Sequence, residues 1–457
     1  MRSITSISLL FIVVISGCAV RQDKREQDTL LVWGQHDYDM PCSVWLVDPA
    51  QKISKKVLDE VHTCNFNIVN IDDTPHLIYR ERPGEIIIYE INATDRMLNV
   101  QEVITLPDRE IFSLPQWDSG RNIYFSSTAV EGVEQIYREQ IYRVDKETKP
   151  ATPFIRHDNG LATSPVISPD GRFLAYWTLD GPANRTSMPY CITGCGVGYY
   201  HVFDLDTGLD VPLLPMVKQI REASLAVSHH ENALWSPTGQ FLAFQLSVRG
   251  AGGIVIFDAR NAEIVADLQS DQGGDTEIVQ WVSGTELVYM AHHYLPELGY
   301  ALGRPYIYSL ESKVSRELLP DLPLTTEDGL PNIFYAFTVT SDGRHSIGVF
   351  PPASLAEGNE VSLLIADLSQ DEPVYTFSIR EMYPDASLQG SPFEEPTWAI
   401  SGEWLAYYSE YLAPESDTPF YRANLHVINV AGETVPILGE GASEVLLPLQ
   451  YAWIQSR

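Results

Sequence analysis

Basic residues are scarce in this chain. Thirty Lys and Arg stand against 61 Asp and Glu, a formal net charge of −31. Nucleic-acid affinity rests on neutralising phosphates with Lys and Arg, so so acidic a surface excludes nucleic-acid partners. The same field discourages adhesion to anionic headgroups, and any hold on a membrane is expected through covalent lipid alone. Long apolar runs are also missing. A spanning helix needs about twenty apolar residues; the run from Ile4 to Ile15 has twelve, and no second stretch approaches that requirement. No Gly-x-Ser-x-Gly elbow occurs, which removes the motif of an α/β-hydrolase nucleophile. The five cysteines offer no two pairs at zinc-ligand spacing, so neither metal nor cofactor is expected.

What the N-terminus does contain is ordered like an export signal. Arg2 precedes the apolar run, and Ile15-Ser16-Gly17-Cys18 follows it. This segment resembles a bacterial lipoprotein leader, and the last four residues match its lipobox. The resemblance implies cleavage after Gly17 and lipidation of Cys18, carrying acyl chains such as palmitate. Ala19 to Thr29 are polar and lack periodicity, as a flexible tether would. The expected division is therefore residues 1–17 as signal peptide, 18–29 as lipidated tether and 30–457 as one folded body. Localisation follows: extracytoplasmic and lipid-anchored, at the outer membrane of a diderm host, since Ala19 gives no Asp retention signal, or on the outer face of a monoderm's membrane.

The body repeats. WDSGRNIYFSS from Trp117, SPDGRFLAYWT from Ser168, SPTGQFLAFQL from Ser236, VSGTELVYMA from Val282, TSDGRHSIGVF from Thr340 and ISGEWLAYYSE from Ile400 share one grammar. In each, a polar turn ending in glycine precedes a run of apolar or aromatic residues, as in a hairpin whose turn needs positive φ. The glycines Gly120, Gly171, Gly239, Gly284, Gly343 and Gly402 lie 51, 68, 45, 59 and 59 residues apart, which suits four-stranded blades with variable loops.

A second ladder sets the count. SVWLVD, IIIYEI, QIYRVD, YHVFDL, IVIFDA, PYIYSL, SLLIADL and LHVINV read as eight third strands. Seven first strands can be assigned before them, and the eighth is LQYAWIQ (Leu449 to Gln455) at the far end. A last strand that completes the first blade closes the ring and removes two open edges. The expectation is an all-β, single β-propeller of four-stranded antiparallel blades, eight in number with seven as the alternative, closed by the C-terminal strand.

Ser-Pro-Asp-Gly at Ser168 to Gly171 and Ser-Pro-Thr-Gly at Ser236 to Gly239 resemble the WD-like repeat of TolB-type propellers. Related repeats build the N-terminal propeller of dipeptidyl-peptidase-like serine proteases, whose catalytic domain has no counterpart here. A sialidase Asp-box has a residue between its Asp and Gly, whereas Asp170–Gly171 and Asp342–Gly343 are adjacent.

Four cysteines remain beside Cys18, an even number for an oxidising compartment. The loops between second and third strands share a face with the connections between blades. That places Cys42 near Cys64 on one face, while Cys191 and Cys195 share one long loop and can close a small ring. The same face gathers His229 and His230, entering blade 5, and His292 and His293, in a long loop of blade 6. Four imidazoles there could meet on a metal or an anionic ligand; loop histidines bonded to their neighbours are the simpler reading. Trp117, Trp235, Trp281, Trp398 and Trp453 read as packing between blades and not as a sugar platform. The functional expectation is a non-catalytic surface lipoprotein that holds a protein, peptide or glycan on its loop-rich face. The alternative is a propeller hydrolase or lyase acting on extracellular polymers, whose scattered site would leave little trace in sequence.

Overall fold

The computed structural model describes residues 27–35, 41–61, 66–71, 74–82, 85–93, 95–105, 109–111, 115–118, 122–129, 139–145, 151–156, 160–180, 198–220, 233–246, 252–269, 276–295, 300–320, 336–350, 362–368, 372–378, 394–399, 401–412, 421–429, 434–435 and 445–456. The expected leader, Cys18, Cys64, Cys191, Cys195, His229 and His230 lie outside these residues.

The strands follow the expected ladder. Repeat 1 begins with β1 (Gln27–Gln35), β2 (Cys42–Asp48) and β3 (Ile53–Val61). Repeat 2 is β4 (Phe66–Ile71), β5 (Thr74–Arg82), β6 (Glu85–Asn92) and β7 (Met97–Thr105). Repeat 3 opens with a first strand split into β8 (Arg109–Ile111) and β9 (Gln116–Trp117), both paired to β10 (Ile123–Ala129), and continues with β11 (Glu139–Val144) and β12 (Ala151–Ile155). Repeat 4 holds β13 (Gly160–Ile167), β14 (Phe173–Asp180), β15 (Gly198–Asp204) and the short β16 (Asp210–Pro212), which runs into the helix α1 (Leu213–Ile220). Repeat 5 is β17 (Ala233–Trp235), β18 (Phe241–Leu246), β19 (Gly253–Asp258) and β20 (Glu263–Gln269); repeat 6 is β21 (Thr276–Trp281), β22 (Glu286–Leu295), β23 (Tyr300–Ser309) and β24 (Val314–Glu317). Repeat 7 comprises β25 (Ala336–Val339), β26 (His345–Phe350), β27 (Ser362–Asp367) and β28 (Glu372–Ser378); repeat 8 comprises β29 (Glu394–Trp398), β30 (Trp404–Leu412), β31 (Tyr421–Asn429) and β32 (Thr434–Val435). The last strand, β33 (Val445–Ser456), is the missing first strand of repeat 1.

All pairings are antiparallel neighbours, and the molecule is a single β-propeller. β33 runs along β1 from Gln27↔Ser456 to Trp33↔Gln450, with Leu30 opposite Trp453. The strand begins at Gln27, three residues before the expected boundary at Leu30. Counted as hydrogen-bonded sheets the ring has seven blades, the alternative number, and the expectation of eight separate ones is corrected. The reason is local: β31 also reaches β33, through Arg422↔Leu446 and Ala423↔Val445. Repeats 8 and 1 therefore fuse into one eight-stranded sheet across the closure.

Four of the glycine turns, at Gly171, Gly239, Gly343 and Gly402, have the expected positive φ, whereas Gly284 does not and Gly120 lies outside the described residues. In Ser168–Gly171 the Gly171 N–H donates to the Ser168 carbonyl at 2.8 Å, and the Ser168 hydroxyl accepts from Phe173 N at 2.9 Å. Gly239 repeats this with φ +71°, a region that costs an ordinary L-residue steric strain. It also packs on the preceding turn, where an added Cβ would fall 2.5 Å from Asp170 Oδ1. Among the described residues, the turns joining third to fourth strands use the same left-handed step without glycine in repeats 1, 2, 5 and 6, where Lys52, Arg96, Ala262 and Lys313 have φ between 52° and 57°, and with Gly208 in repeat 4.

Apolar faces of neighbouring repeats meet in successive cores. Phe173, Ala175 and Tyr200 of repeat 4 pack on Trp235, Phe244 and Phe257 of repeat 5; Ile256 and Leu268 of repeat 5 pack on Trp281 and Leu287 of repeat 6. The inner-strand tryptophans stitch these interfaces. Trp235 Nε1 donates to the Val166 carbonyl at 3.1 Å and Trp281 Nε1 to the Leu234 carbonyl at 3.0 Å, each one repeat back. Trp235, Trp281 and Trp398 are buried, as packing between blades requires. Gln280 adds a clamp in the other direction, its side-chain oxygen accepting from Val339 N at 3.1 Å.

Candidate ligand-binding face

A propeller disc has two unlike faces, and strand lengths here show which is elaborated. Short turns carry the chain from first to second and from third to fourth strands on one side, hereafter the turn face. The opposite side carries the hairpins between second and third strands and the connections between repeats. In repeat 5 that hairpin pairs from Phe241↔Asp258 to Leu246↔Gly253, six positions. In repeat 6 it pairs over ten, from Glu286↔Ser309 to Leu295↔Tyr300. Four extra pairs at about 3.3 Å each carry it roughly 13 Å further out. The β30–β31 hairpin is extended as well, with nine residues per strand.

His292 and His293 fall in that extension. The expected loop is instead strand, with His292 opposite Gly303 and His293 opposite Leu302. His292 Nε2 lies 3.7 Å from Glu277 Oε2, and a Cβ at position 303 would fall 3.3 Å from the His292 ring; glycine leaves room for it. Among the described residues no group of three or more His, Cys, Asp or Glu is arranged to hold a metal.

Beside the hairpins, α1 interrupts the strand pattern. Pro215 sits in its first turn, where a missing N–H costs nothing, and Leu213 and Val217 lie one turn apart on one buried face. The helix leans on Tyr200 and Phe244, and between repeats 4 and 5 these residues leave a small apolar cleft of about 10 Å³, the space of a single water. Its walls are Tyr199 and Tyr200 of β15, Phe244 and Leu246 of β18, and Leu213 and Val217 of α1. Sequence reading missed this site. The signal was present in LLPMVKQI, where the Leu213–Val217 spacing and an early proline describe a helix start.

Several polar groups that could suggest chemistry are occupied structurally. Asp204 closes its turn by accepting from Asp206 N and Thr207 N, and takes the Arg172 guanidinium at 2.9 Å. Burial opposes its ionisation, but these bonds outweigh burial and hold the carboxyl below its usual range. Asp258 does the same for its turn, with Gln240 at 2.9 Å. Tyr176, stacked on His201, donates to Asp210 at 2.8 Å; burial and then that carboxylate push the phenol far up, which keeps it a donor.

His426, stacked on Tyr407 across the same strand positions in repeat 8, is wholly buried, and burial lowers its pKa from 6.5 to about 3. The neutral form is the folded form, so its contribution is present above pH 6.5 and lost as pH falls toward 3. Acid should weaken the fold by up to about 1.4 kcal/mol per pH unit through this residue. Urea unfolding of His426→Phe between these limits should show a shallower acid limb than the natural chain.

No protein-family model matches the chain, and no curated protein matches it by sequence. Solved structures do. A eukaryotic initiation factor aligns over 93% of this chain and 98% of that chain, with 9% identity and a TM-score of 0.50. TolB from Acinetobacter baumannii aligns over 82% and 81%, with 15% identity and a TM-score of 0.34. The propeller domain of the Trilobed protease from Pyrococcus furiosus aligns over 72% and 84%, with 15% identity and a TM-score of 0.42. The likeness is one of fold. TolB and peptidase propellers are among the structures the chain is similar to, in keeping with its Ser-Pro-Asp-Gly and Ser-Pro-Thr-Gly turns, and at such identities they lend it no activity.

Proposed function

We propose that this chain is an extracytoplasmic, lipid-anchored propeller that holds a protein, peptide or glycan on its hairpin face without transforming it. The projecting β22–β23 hairpin carries the reading, paired over ten positions where its counterpart in repeat 5 is paired over six. Loops held out on a rigid scaffold are where binding residues concentrate, and this extension has no counterpart on the turn face. Arrays of peptides and glycans, probed with the mature chain and with a variant whose hairpin extension, residues 292–303, is replaced by an Asn-Gly turn, test it. Binding that is at least tenfold weaker in the variant, corresponding to about 1.4 kcal/mol, is expected. Turnover of a bound ligand would instead favour the hydrolase or lyase reading.

The anchor is part of the proposal. Cys18→Ala should abolish fatty-acid labelling and release the protein from the membrane fraction; persistent labelling would place the lipid elsewhere. An oxidising compartment also leads us to propose a Cys42–Cys64 disulfide. Cys42 is buried and pairs in register with Val61, three residues before Cys64. Closing that loop stabilises by about 3 kcal/mol in the chain-entropy account. Non-reducing peptide mapping should recover the two cysteines in one linked species, and recovery as separate thiol peptides would refute the bond.

A further inference from the structure

Of the seven large apolar side chains exposed among the described residues, four share one structural position, while Val100 and Val103 lie further along β7 and Leu234 lies in β17. Ile53, Met97, Leu209 and Val314 each follow directly on the left-handed residue of a third-to-fourth-strand turn, namely Lys52, Arg96, Gly208 and Lys313. They are 41, 48, 57 and 59% exposed, at the corners where outermost strands leave the turn face. Lys52 and Lys313 beside them are exposed too, and long cationic side chains of this kind extend polar heads past apolar neighbours at a membrane interface. Repeat 5 differs, with Glu263 at this position.

The chain also enters the ring on this face. Gln27, the first residue of β1, lies opposite Ser456, and the Asp28 carboxylate accepts from the Ser401 hydroxyl and backbone N–H in the turn before β30. Residues 18–26 can span at most about 30 Å however they run. Strands of six to nine residues make the disc about 20–30 Å thick. A lipid on Cys18 therefore lies within easy reach of the turn face, whereas the hairpin face requires crossing the outer strands and then the full thickness.

From these two observations we propose that the turn face lies on the bilayer, with Ile53, Met97, Leu209 and Val314 at the boundary between headgroups and acyl chains. The occupant is a lipid surface, and the proposal rests on the lipid-anchor reading above. The acidic excess acts at long range, while the corner residues act at contact once the anchor has brought the disc down. The consequence is orientation: the hairpins and the cleft under α1 face outward, where a partner can reach them.

β7 provides a ruler for the test, with Met97 at its turn-face end and Thr105 at its hairpin-face end. Full-length protein carrying Met97→Cys, Val314→Cys or Thr105→Cys would be purified from membranes, labelled with an environment-sensitive maleimide and reconstituted in phosphatidylcholine vesicles containing nitroxide lipid. The natural chain supplies the labelling background. Probes at 97 and 314 should be quenched severalfold more than the probe at 105. Fatty-acid labelling of the same preparation reports on the anchor separately. Acylated protein with equal quenching at all three positions overturns the orientation alone. Protein that is not acylated removes the anchor reading and, with it, this proposal.

Discussion

Deleting residues 445–457 should turn a cooperatively folding protein into one that melts far lower or aggregates. The segment contains the whole of β33, which pairs with β1 over most of its length and touches β31 as well. Its loss leaves β1 an open edge beside a buried core containing Leu30, Val32, Trp45 and Val47. Burial of Ile454 alone is worth about 1.5–3 kcal/mol, and each backbone hydrogen bond adds roughly 0.5–1.5 kcal/mol. Several such bonds are lost together, so the sum is comparable with the 5–15 kcal/mol net stability of a typical domain. Calorimetry of the truncated chain is the direct check. An unchanged melting temperature would mean that the ring closes without its last strand.

The second large effect is expected at Trp281. Its ring is buried in the core between repeats 5 and 6, and its Nε1 spans to the Leu234 carbonyl of the neighbouring inner strand. Trp281→Ala should cost about 3–5 kcal/mol, through the lost side chain and the cavity it leaves. Trp281→Phe keeps most of the volume and removes the hydrogen bond, so a smaller loss of about 0.5–1.5 kcal/mol is expected. Chemical denaturation of both variants measures the difference. A Trp281→Phe loss near zero would show that the indole N–H contributes nothing and that packing alone joins these repeats.

The fold was legible because its two rules are local. Glycine after a polar turn residue marks the first hairpin of repeats 4 to 8, and apolar third strands, buried throughout in β2 and β19, mark the repeats; both depend on a few neighbouring residues. Ring closure was legible by accounting, since Leu30 had no preceding strand and Leu449–Gln455 had no following one. The number of sheets was not legible, because fusion of repeats 8 and 1 turns on two backbone pairs at Arg422 and Ala423 that leave no side-chain pattern. The histidines show a different limit. AHHYLPELGYALGRP has prolines and glycines enough to read as loop, yet Gly303 serves strand packing against His292 and the hairpin continues through it. The cleft escaped for a third reason: it is made by residues from β15, α1 and β18, far apart in sequence and each reading as ordinary core. The corner residues that we place on the bilayer are single apolar side chains at turn ends, and only superposition of the repeats reveals their common position.

One measurement bears most directly on the central claim that the hairpin face binds and does not catalyse. Hydrogen exchange of the mature chain would be followed with and without a ligand selected from the peptide and glycan arrays, with the recovered ligand analysed by mass spectrometry. The account predicts new protection in β15, α1 and the β22–β23 hairpin, little change in the turns of the opposite face, and ligand of unchanged mass. Protection confined to the turn face, or ligand recovered as cleaved product, would contradict it.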